Sequence, residues 1–139
     1  VSAAERVKLA ASINDITAAP ELSGLFDPTT SRAEVPVVGQ IDLADGPRAV
    51  SGTVDRLAVL DNVVIVIDFK TGRLIPASAE LVSRDYLTQM ALYRQMIRQI
   101  YADKEVRLYL IWTQALAEQM IMHLPDALMD TAYEQIARL

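Results

Sequence analysis

The chain has 139 residues, a length typical of one domain with a single hydrophobic core. Its apolar content of 52% and mean hydropathy of +0.21 exclude extensive disorder, and the absence of cysteine excludes disulfides, thiolate zinc sites, iron–sulfur clusters and a catalytic cysteine. Asp and Glu number 18 against 13 Lys and Arg, so the net charge of −5 argues against a domain that captures nucleic acid alone through phosphate contacts.

The apolar runs and the first residues of the chain indicate whether the protein enters a membrane and whether it is a fragment. The longest uninterrupted apolar run, residues 63–67, is too short for a membrane helix, and no signal segment opens the chain. We therefore expect no membrane partner, and the absence of cysteine suits a cytoplasmic protein. Because the first residue is Val rather than Met, we also expect a fragment of a longer protein, folded as one domain over residues 1–139.

Hydrophobic periodicity predicts the first elements in chain order. Residues 3–17 have the spacing of an amphipathic helix, and a loop with Pro20, Gly24 and Pro28 follows. Three strands are expected next, at residues 35–43, 50–60 and 63–70. The turns between them are expected at residues 45–47 and 61–62.

In the second half of the chain, the sequence predicts a helix, two strands and a second helix, in that order. After a connector, Ser83 is a candidate N-cap for a helix that runs to about Tyr101. Strands follow at 106–113 and 119–124, then a helix from 125 to 139. The whole order predicts an α/β fold: a central mixed sheet, made of a three-stranded meander and two further strands, flanked by helices. The stripe that buries the first of these helices is expected to be Tyr86, Gln89, Met90, Tyr93, Met96, Ile97 and Ile100.

The hairpin turn at residues 61–62 brings two carboxylates together. A two-residue turn there pairs Leu57 with Val66 and Asp55 with Asp68, with the Cβ atoms of each pair about 5 Å apart. At an effective dielectric near 20, the two charges repel by roughly 3 kcal/mol. A bound cation would remove this cost, so the pattern favours a metal site.

Two further residues are expected on the same face. Lys70 is two residues beyond Asp68, and Glu34 lies in the preceding strand at a position that an even-numbered loop places there. Oxygen ligands in this number suit Mg²⁺ or Mn²⁺, which keep waters for a substrate phosphate. Lys70 could then position the attacking water or offset charge on the phosphate.

On the following helix, Gln89 and Tyr93 are one turn apart on one face, and a glutamine in an apolar stripe needs a polar partner. Ordinary structural interpretations stay open for all these residues. The aspartates would suit a solvated hairpin end, Gln89 and Tyr93 a helix surface and core, and His123 a strand edge. The cationic residues expected to form a solvated face are Arg84, Arg94, Arg98, Lys104 and Arg107.

Four segments taken together resemble the PD-(D/E)XK nucleases, and among them the C-terminal nuclease domains of AddA/RecB-type helicase–nucleases, AddA most closely. The resemblance covers about residues 20–130. The matching segments are Glu34-Val-Pro-Val, Ser51-Gly-Thr-Val-Asp55-Arg56-Leu, Ile67-Asp68-Phe-Lys70-Thr71-Gly72 and Gln89-Met-Ala-Leu-Tyr93. The fold it implies is the restriction-endonuclease-like core.

The resemblance also implies a set of roles. Glu34, Asp55 and Asp68 would be catalytic and metal-binding carboxylates, with Lys70 as the catalytic lysine. The site-supporting and DNA-contacting residues would be Gln89, Tyr93, Arg56 and Thr71. The implied activity is that of a Mg²⁺-dependent (or Mn²⁺-dependent) DNA exonuclease in double-strand-break repair and recombination. An ATP-driven helicase would deliver a single strand of DNA, and an AddB-type subunit would be the partner.

One departure weighs against a complete site. Members of this family usually carry a metal-binding histidine on a helix upstream of the glutamate, and none precedes Glu34. Either this histidine lies in an N-terminal part removed from the fragment or the site is weakened, and the isolated fragment is expected to be inactive. The alternatives are a non-catalytic module of the same fold that channels DNA or binds the partner subunit, a hydrolase of nucleotides, and a stand-alone restriction-type endonuclease.

Overall fold

A computed structural model describes residues 29–72, 74–112 and 121–138. Within these ranges the strands are β1 Ser31–Leu43, β2 Gly46–Val59, β3 Val63–Lys70, β4 Glu105–Trp112 and β5 Ile121–Leu124. The helices are α1 Arg84–Ile100 and α2 Asp126–Ala137, with a short 3-10 turn at Ala79–Leu81 before α1. The helix predicted at residues 3–17, the loop after it and residues 113, 119 and 120 of the two later predicted strands lie outside the described residues.

The strands form one mixed sheet in chain order, β1 to β5, over the described residues. β1, β2 and β3 are an antiparallel meander, β3 and β4 are parallel, and β5 is antiparallel to β4. A parallel pair needs a crossover, and α1 supplies it between β3 and β4. The predicted α/β architecture, a meander plus two strands flanked by helices, is confirmed. None of the described helices has the length and apolar character needed to span a membrane.

The β2–β3 hairpin has the predicted register. Leu57 pairs with Val66, and the Leu60 N–H donates to the Val63 carbonyl at 2.9 Å across the turn at 61–62. The first hairpin differs from its prediction, because β1 and β2 each start four residues early and pair up to Leu43 and Gly46. Its turn therefore falls at residues 44–45, and Gly46 follows at a φ of +122° that a glycine adopts without strain.

The larger core cluster lies between the sheet and the two helices, and a second buried cluster lies on the other face of the sheet, formed by Ala58, Ile65, Ile67, Tyr109 and Ile111. Ser83 starts α1 as predicted, its Oγ accepting from the Tyr86 N–H at 3.4 Å, and the helix ends at Tyr101. Of the predicted stripe, four members are buried: Met90, Tyr93, Met96 and Ile97. Tyr86 and Ile100, in the terminal turns, and Gln89 are exposed, because the core covers only the middle of this helix face.

Arg94 departs from the predicted solvated face. Its side chain is only 3% exposed and joins α1 to α2 through Asp126 Oδ1 at 3.3 Å and Asp130 Oδ1 at 2.6 Å. The Asp126 carbonyl accepts a third bond from the same guanidinium at 3.3 Å. Arg84 and Arg98 are exposed, as expected. Sequence pattern alone missed the burial of Arg94 because its partners come from the last helix, more than 30 residues away.

We expect the double variant Asp126→Ala/Asp130→Ala to lower the free energy of unfolding by about 3 kcal/mol, because a buried guanidinium would keep only a carbonyl partner. Urea denaturation measures the change. The control is Asp45→Ala, which breaks an ion pair with Arg48 that is 62–72% exposed and should alter stability by less than about 1 kcal/mol. Similar losses in the two proteins would contradict the role of Arg94.

Candidate active site

The polar residues of the site meet where β3 ends beneath the first half of α1. Val64 and Val66 of β3 belong to the core cluster that includes the buried residues of α1. Because side chains alternate along a strand, Asp68 and Lys70 point to this same face. Both are buried, with 6% and 8% of their surface exposed. Charged groups are rarely this buried unless they are paired, so the end of β3 is chemically distinctive.

Asp55 joins this pair from β2. The pairing of Arg56 with Ile67 places Asp55 across from Asp68, as the sequence predicts. The Asp55 Oδ2 accepts a hydrogen bond from the Phe69 N–H at 2.8 Å, which fixes its carboxylate beside the end of β3. Two carboxylates from neighbouring strands therefore converge, as the hairpin register requires.

Lys70 lies against Asp68. Its ammonium forms an ion pair with Asp68 Oδ2 and also lies 3.4 Å from the centroid of the Tyr86 ring. Although Lys70 is adjacent, Asp68 Oδ2 accepts no hydrogen bond of normal geometry from the described residues and is fully buried. A buried carboxylate oxygen in this state has acceptor capacity that a cation could use.

Burial dominates the electrostatics of Asp68. The pKa of this carboxyl is raised from its ordinary 3.8 to about 6: burial is the largest cause, Lys70 opposes the increase, and the neighbouring Asp55 adds to it. Burial also raises the pKa of Tyr93, and the charges of Asp68 and Asp55 add to this increase. The Tyr93 hydroxyl is therefore protonated at neutral pH. The Asp68 carboxyl, with a pKa of about 6, titrates close to neutral pH.

Gln89 and Tyr93 connect α1 to β2 through hydrogen bonds. The Gln89 Nε2 donates to the Tyr93 hydroxyl at 3.2 Å, and that hydroxyl donates to the Thr53 carbonyl at 2.9 Å. The polar partner expected for Gln89 is thus Tyr93. Gly52 allows this contact, because a Cβ atom there would lie 2.8 Å from the Tyr93 ring. The pair sets the distance between the helix and the strand that carries Asp55.

Gly52→Ala should therefore lower the free energy of unfolding by about 1–3 kcal/mol, since the new methyl group overlaps the Tyr93 ring. Thermal or urea denaturation tests this. Gly72→Ala is the matched control, because a Cβ atom at Gly72 meets nothing within 4 Å. If Gly52→Ala were as stable as Gly72→Ala, the close approach of Tyr93 to β2 would be wrong.

Glu34 does not join the two aspartates. The pairs Ala33–Arg56 and Val35–Val54 place it across from Asp55, but its φ of +53° departs from the strand conformation, so simple alternation does not govern its side chain. It is exposed, and no three His, Asp or Glu side chains within residues 29–72, 74–112 and 121–138 are close enough to hold one metal ion. The expected convergence of three carboxylates is therefore wrong in this structure, which brings two together. The role of Glu34 stays a prediction.

Glu34, with its positive φ, lies opposite a place in β2 where the alternation of side chains between the two faces of the sheet is irregular. Val54 and Leu57 of β2 both belong to the core cluster beneath α1, although they are three positions apart, an odd number. Alternation therefore slips by one residue between them, which lets Asp55 share a face with Leu57.

The remaining predicted site residues lie nearby with other contacts. Arg56 Nη1 donates to Ser31 Oγ at 2.8 Å, which ties β2 to β1 beside the site. Thr71 is exposed directly after Lys70. Their proposed contacts with DNA stay predictions. His123 is exposed on β5, with its ring 5.2 Å from that of Tyr109, as expected for a strand-edge residue.

Sequence analysis missed one member of the site, Tyr86. Its helical spacing placed it in the buried stripe of α1, but it is 42% exposed and its ring faces Lys70. The signal that could have found it is its position: three residues before Gln89, in the first turn of a helix that starts near the end of β3.

The donor set fits a divalent metal. Mg²⁺ is commonly held by one or two carboxylates, with waters and substrate phosphates completing its shell. Asp55 and Asp68 supply two adjacent carboxylates, and Asp68 Oδ2, which forms the ion pair with Lys70, accepts no hydrogen bond of normal geometry from the described residues. Hard oxygen donors of this kind favour Mg²⁺ or Mn²⁺ over softer metals.

Metal affinity should fall as the pH falls through about 6, because a protonated Asp68 cannot act as a ligand. At pH 5 only about a tenth of Asp68 would be ionised, so we expect roughly ten-fold weaker Mn²⁺ binding than at pH 8. In the metal-free chain the native state binds more protons than the unfolded state between about pH 4 and 6, so Asp68 lowers stability as the pH rises through this window. Calorimetry at the two pH values, with Asp68→Asn as control, measures the change; equal affinity at both would contradict the raised pKa.

Similarity to known proteins identifies the family to which the chain belongs. The family model of the PD-(D/E)XK nuclease superfamily matches residues 2–135. Among solved structures, a candidate exonuclease from Eubacterium rectale superposes with a TM-score of 0.60 at 14% identity, covering 94% of this chain and 49% of its own, so the chain spans about half of that protein. The protein SSO0001 gives a TM-score of 0.45 at 20% identity, covering 92% of this chain and 59% of its own, a likeness too low to establish a shared fold. No curated protein has a significantly similar sequence.

Because the family match extends over nearly the whole sequence and the fold agrees with it, the chain belongs to the PD-(D/E)XK nuclease superfamily.

Proposed function

We propose that the chain is the metal-dependent DNA nuclease module of an AddA-type helicase–nuclease, hydrolysing phosphodiester bonds during double-strand-break repair and recombination. The single observation that carries the proposal is the group at the end of β3, in which Asp68 and Lys70 are buried as an ion pair and the half-buried Asp55 lies beside them. Burying the Asp68 carboxylate with the Lys70 ammonium has no evident structural benefit, since apolar residues of similar size usually stabilise a core at least as well. A catalytic use accounts for their retention.

Each residue then has a chemical task. Asp55 and Asp68 would hold a Mg²⁺ or Mn²⁺ ion, which when bound polarises a phosphate and lowers the pKa of a water ligand. The Lys70 ammonium would offset negative charge on the scissile phosphate or orient the attacking water. Gln89 and Tyr93 keep α1 at a fixed distance from β2 and thereby define the space above the carboxylates.

The substrate in this proposal is a single strand of DNA. The net charge of −5 disfavours independent capture of DNA, so delivery by an ATP-driven helicase in the same complex is consistent with the composition. The partner would be an AddB-type subunit, the reaction exonucleolytic and the location cytoplasmic. These finer assignments are supported by the order of the four motif segments, from Glu34 to Tyr93.

The test is cleavage by the intact helicase–nuclease with Asp68→Ala in this module. We expect loss of DNA cleavage in Mg²⁺ with ATP-driven unwinding retained, because Asp68 lies in the nuclease site alone. Asp61→Ala, at the exposed turn of the same hairpin, is the control and should cleave normally. Cleavage retained in the Asp68→Ala protein would overturn the proposal in favour of a non-catalytic module that channels DNA or binds the partner subunit.

A further inference from the structure

Lys70 is held from two sides. Its ammonium is paired with Asp68 Oδ2 on one side and lies 3.4 Å from the centroid of the Tyr86 ring on another. An ammonium over the face of an aromatic ring is attracted by the negative charge density of the ring. The distance is at the short end of such contacts, so the ring itself limits where the ammonium can move.

Tyr86 is not required for the core. It is 42% exposed, whereas the other tyrosine on this side of α1, Tyr93, is 6% exposed and packed in the core cluster. Its backbone is fixed by the helix start, where the Ser83 Oγ accepts the Tyr86 N–H at 3.4 Å. A large exposed aromatic side chain held over a buried ammonium therefore needs an explanation other than packing.

We propose that Tyr86 is a positioning residue for Lys70, whose ring holds the ammonium beside Asp68 in the orientation used for catalysis. Lysine has a flexible four-carbon stem and a charge without directional preference, so Asp68 alone does not fix the ammonium in one place. A ring on the open side of the site removes that freedom before substrate binds, and such preorganisation raises the rate of the chemical step. The effect on rate depends on the proposed nuclease function, whereas the contact itself does not.

The contact is tested by NMR on the 139-residue chain. The sequence has only three lysines, Lys8, Lys70 and Lys104, so lysine-selective labelling gives few signals to assign. A methylene group next to a ring face is shifted upfield by the ring current. We expect an upfield shift of the Lys70 ε-protons in the unmodified chain and in Tyr86→Phe, which keeps the ring, and its loss in Tyr86→Leu. An unchanged Lys70 signal in Tyr86→Leu would overturn the proposal.

The consequence for catalysis is tested with the same variants in the intact nuclease. Tyr86→Leu should lower kcat by about 3- to 30-fold with KM unchanged, and Tyr86→Phe should restore most of the rate, because phenylalanine keeps the ring face. Ile100→Leu, at the opposite, exposed end of α1, is the control and should leave kcat unchanged. A normal kcat in Tyr86→Leu would overturn the positioning role while leaving the nuclease function intact. If neither the unmodified protein nor any variant cleaves DNA, the proposed function is wrong. The NMR signal of the Lys70 ε-protons still tests the contact between Tyr86 and Lys70.

Discussion

Replacing Lys70 by methionine is expected to lower the rate of DNA cleavage by about three orders of magnitude while metal binding is retained. Methionine keeps an unbranched side chain of similar length, so it can fill the space beneath Tyr86 without the charge. The Asp55 and Asp68 carboxylates remain for the metal. Removing the ammonium also raises the pKa of Asp68 further, since Lys70 is the group that lowers it, so the comparison is best made at pH 8.

The matched control for this prediction is Lys104→Met. Lys104 also uses its ammonium inside the fold, donating to the Leu60 carbonyl at 2.6 Å and the Asp61 carbonyl at 2.9 Å. Those contacts lie at the turn of the β2–β3 hairpin, at the opposite end of β3 from Lys70. The Lys104→Met protein should cleave DNA normally. A Lys70→Met protein with undiminished cleavage would remove Lys70 from the catalytic group.

Asp55→Asn is expected to have a comparably large effect on cleavage, a loss of about 10³-fold, with little change in stability. The amide oxygen of asparagine can still accept the hydrogen bond from the Phe69 N–H, so the link between β2 and β3 is kept. The negative charge is lost, and the neighbouring Asp68 must then hold the metal alone. Cleavage of a labelled DNA strand and urea denaturation of the same preparation separate the two effects.

Asp61→Asn makes the same substitution in the same hairpin but at its exposed turn, and it should affect neither cleavage nor stability. If Asp55→Asn unfolded the protein, the negative charge of Asp55 would be needed for the fold, because the hydrogen bond from the Phe69 N–H can still form. If it cleaved DNA at the normal rate, Asp55 would not be part of the catalytic group.

Local patterns were sufficient to predict much of this fold. β3 has the predicted bounds because a continuous apolar run at residues 63–67 follows a turn and a glycine stands two residues after Lys70, and Ser83 marks the start of α1. The register of the β2–β3 hairpin followed from a two-residue turn. That register alone brings Asp55 opposite Asp68, so the centre of the site was predictable from the sequence.

Other features depend on contacts between distant segments and could not be predicted in this way. Alternation places Glu34 with the aspartates, but its positive φ interrupts the strand at that residue. The burial of Arg94 depends on aspartates of the last helix, and the placement of Tyr86 over Lys70 depends on how α1 crosses the end of β3. In each case tertiary geometry overrides a local rule.

The central claim is that Asp55 and Asp68 form a divalent-metal site, and calorimetric titration of Mg²⁺ or Mn²⁺ into the chain and into Asp68→Asn at pH 8 tests it most directly. We predict saturable binding to the unmodified chain that disappears in Asp68→Asn, because the substitution removes the negative charge of one of the two carboxylates that would hold the ion. Binding of equal strength in both proteins, or in neither, would contradict the claim.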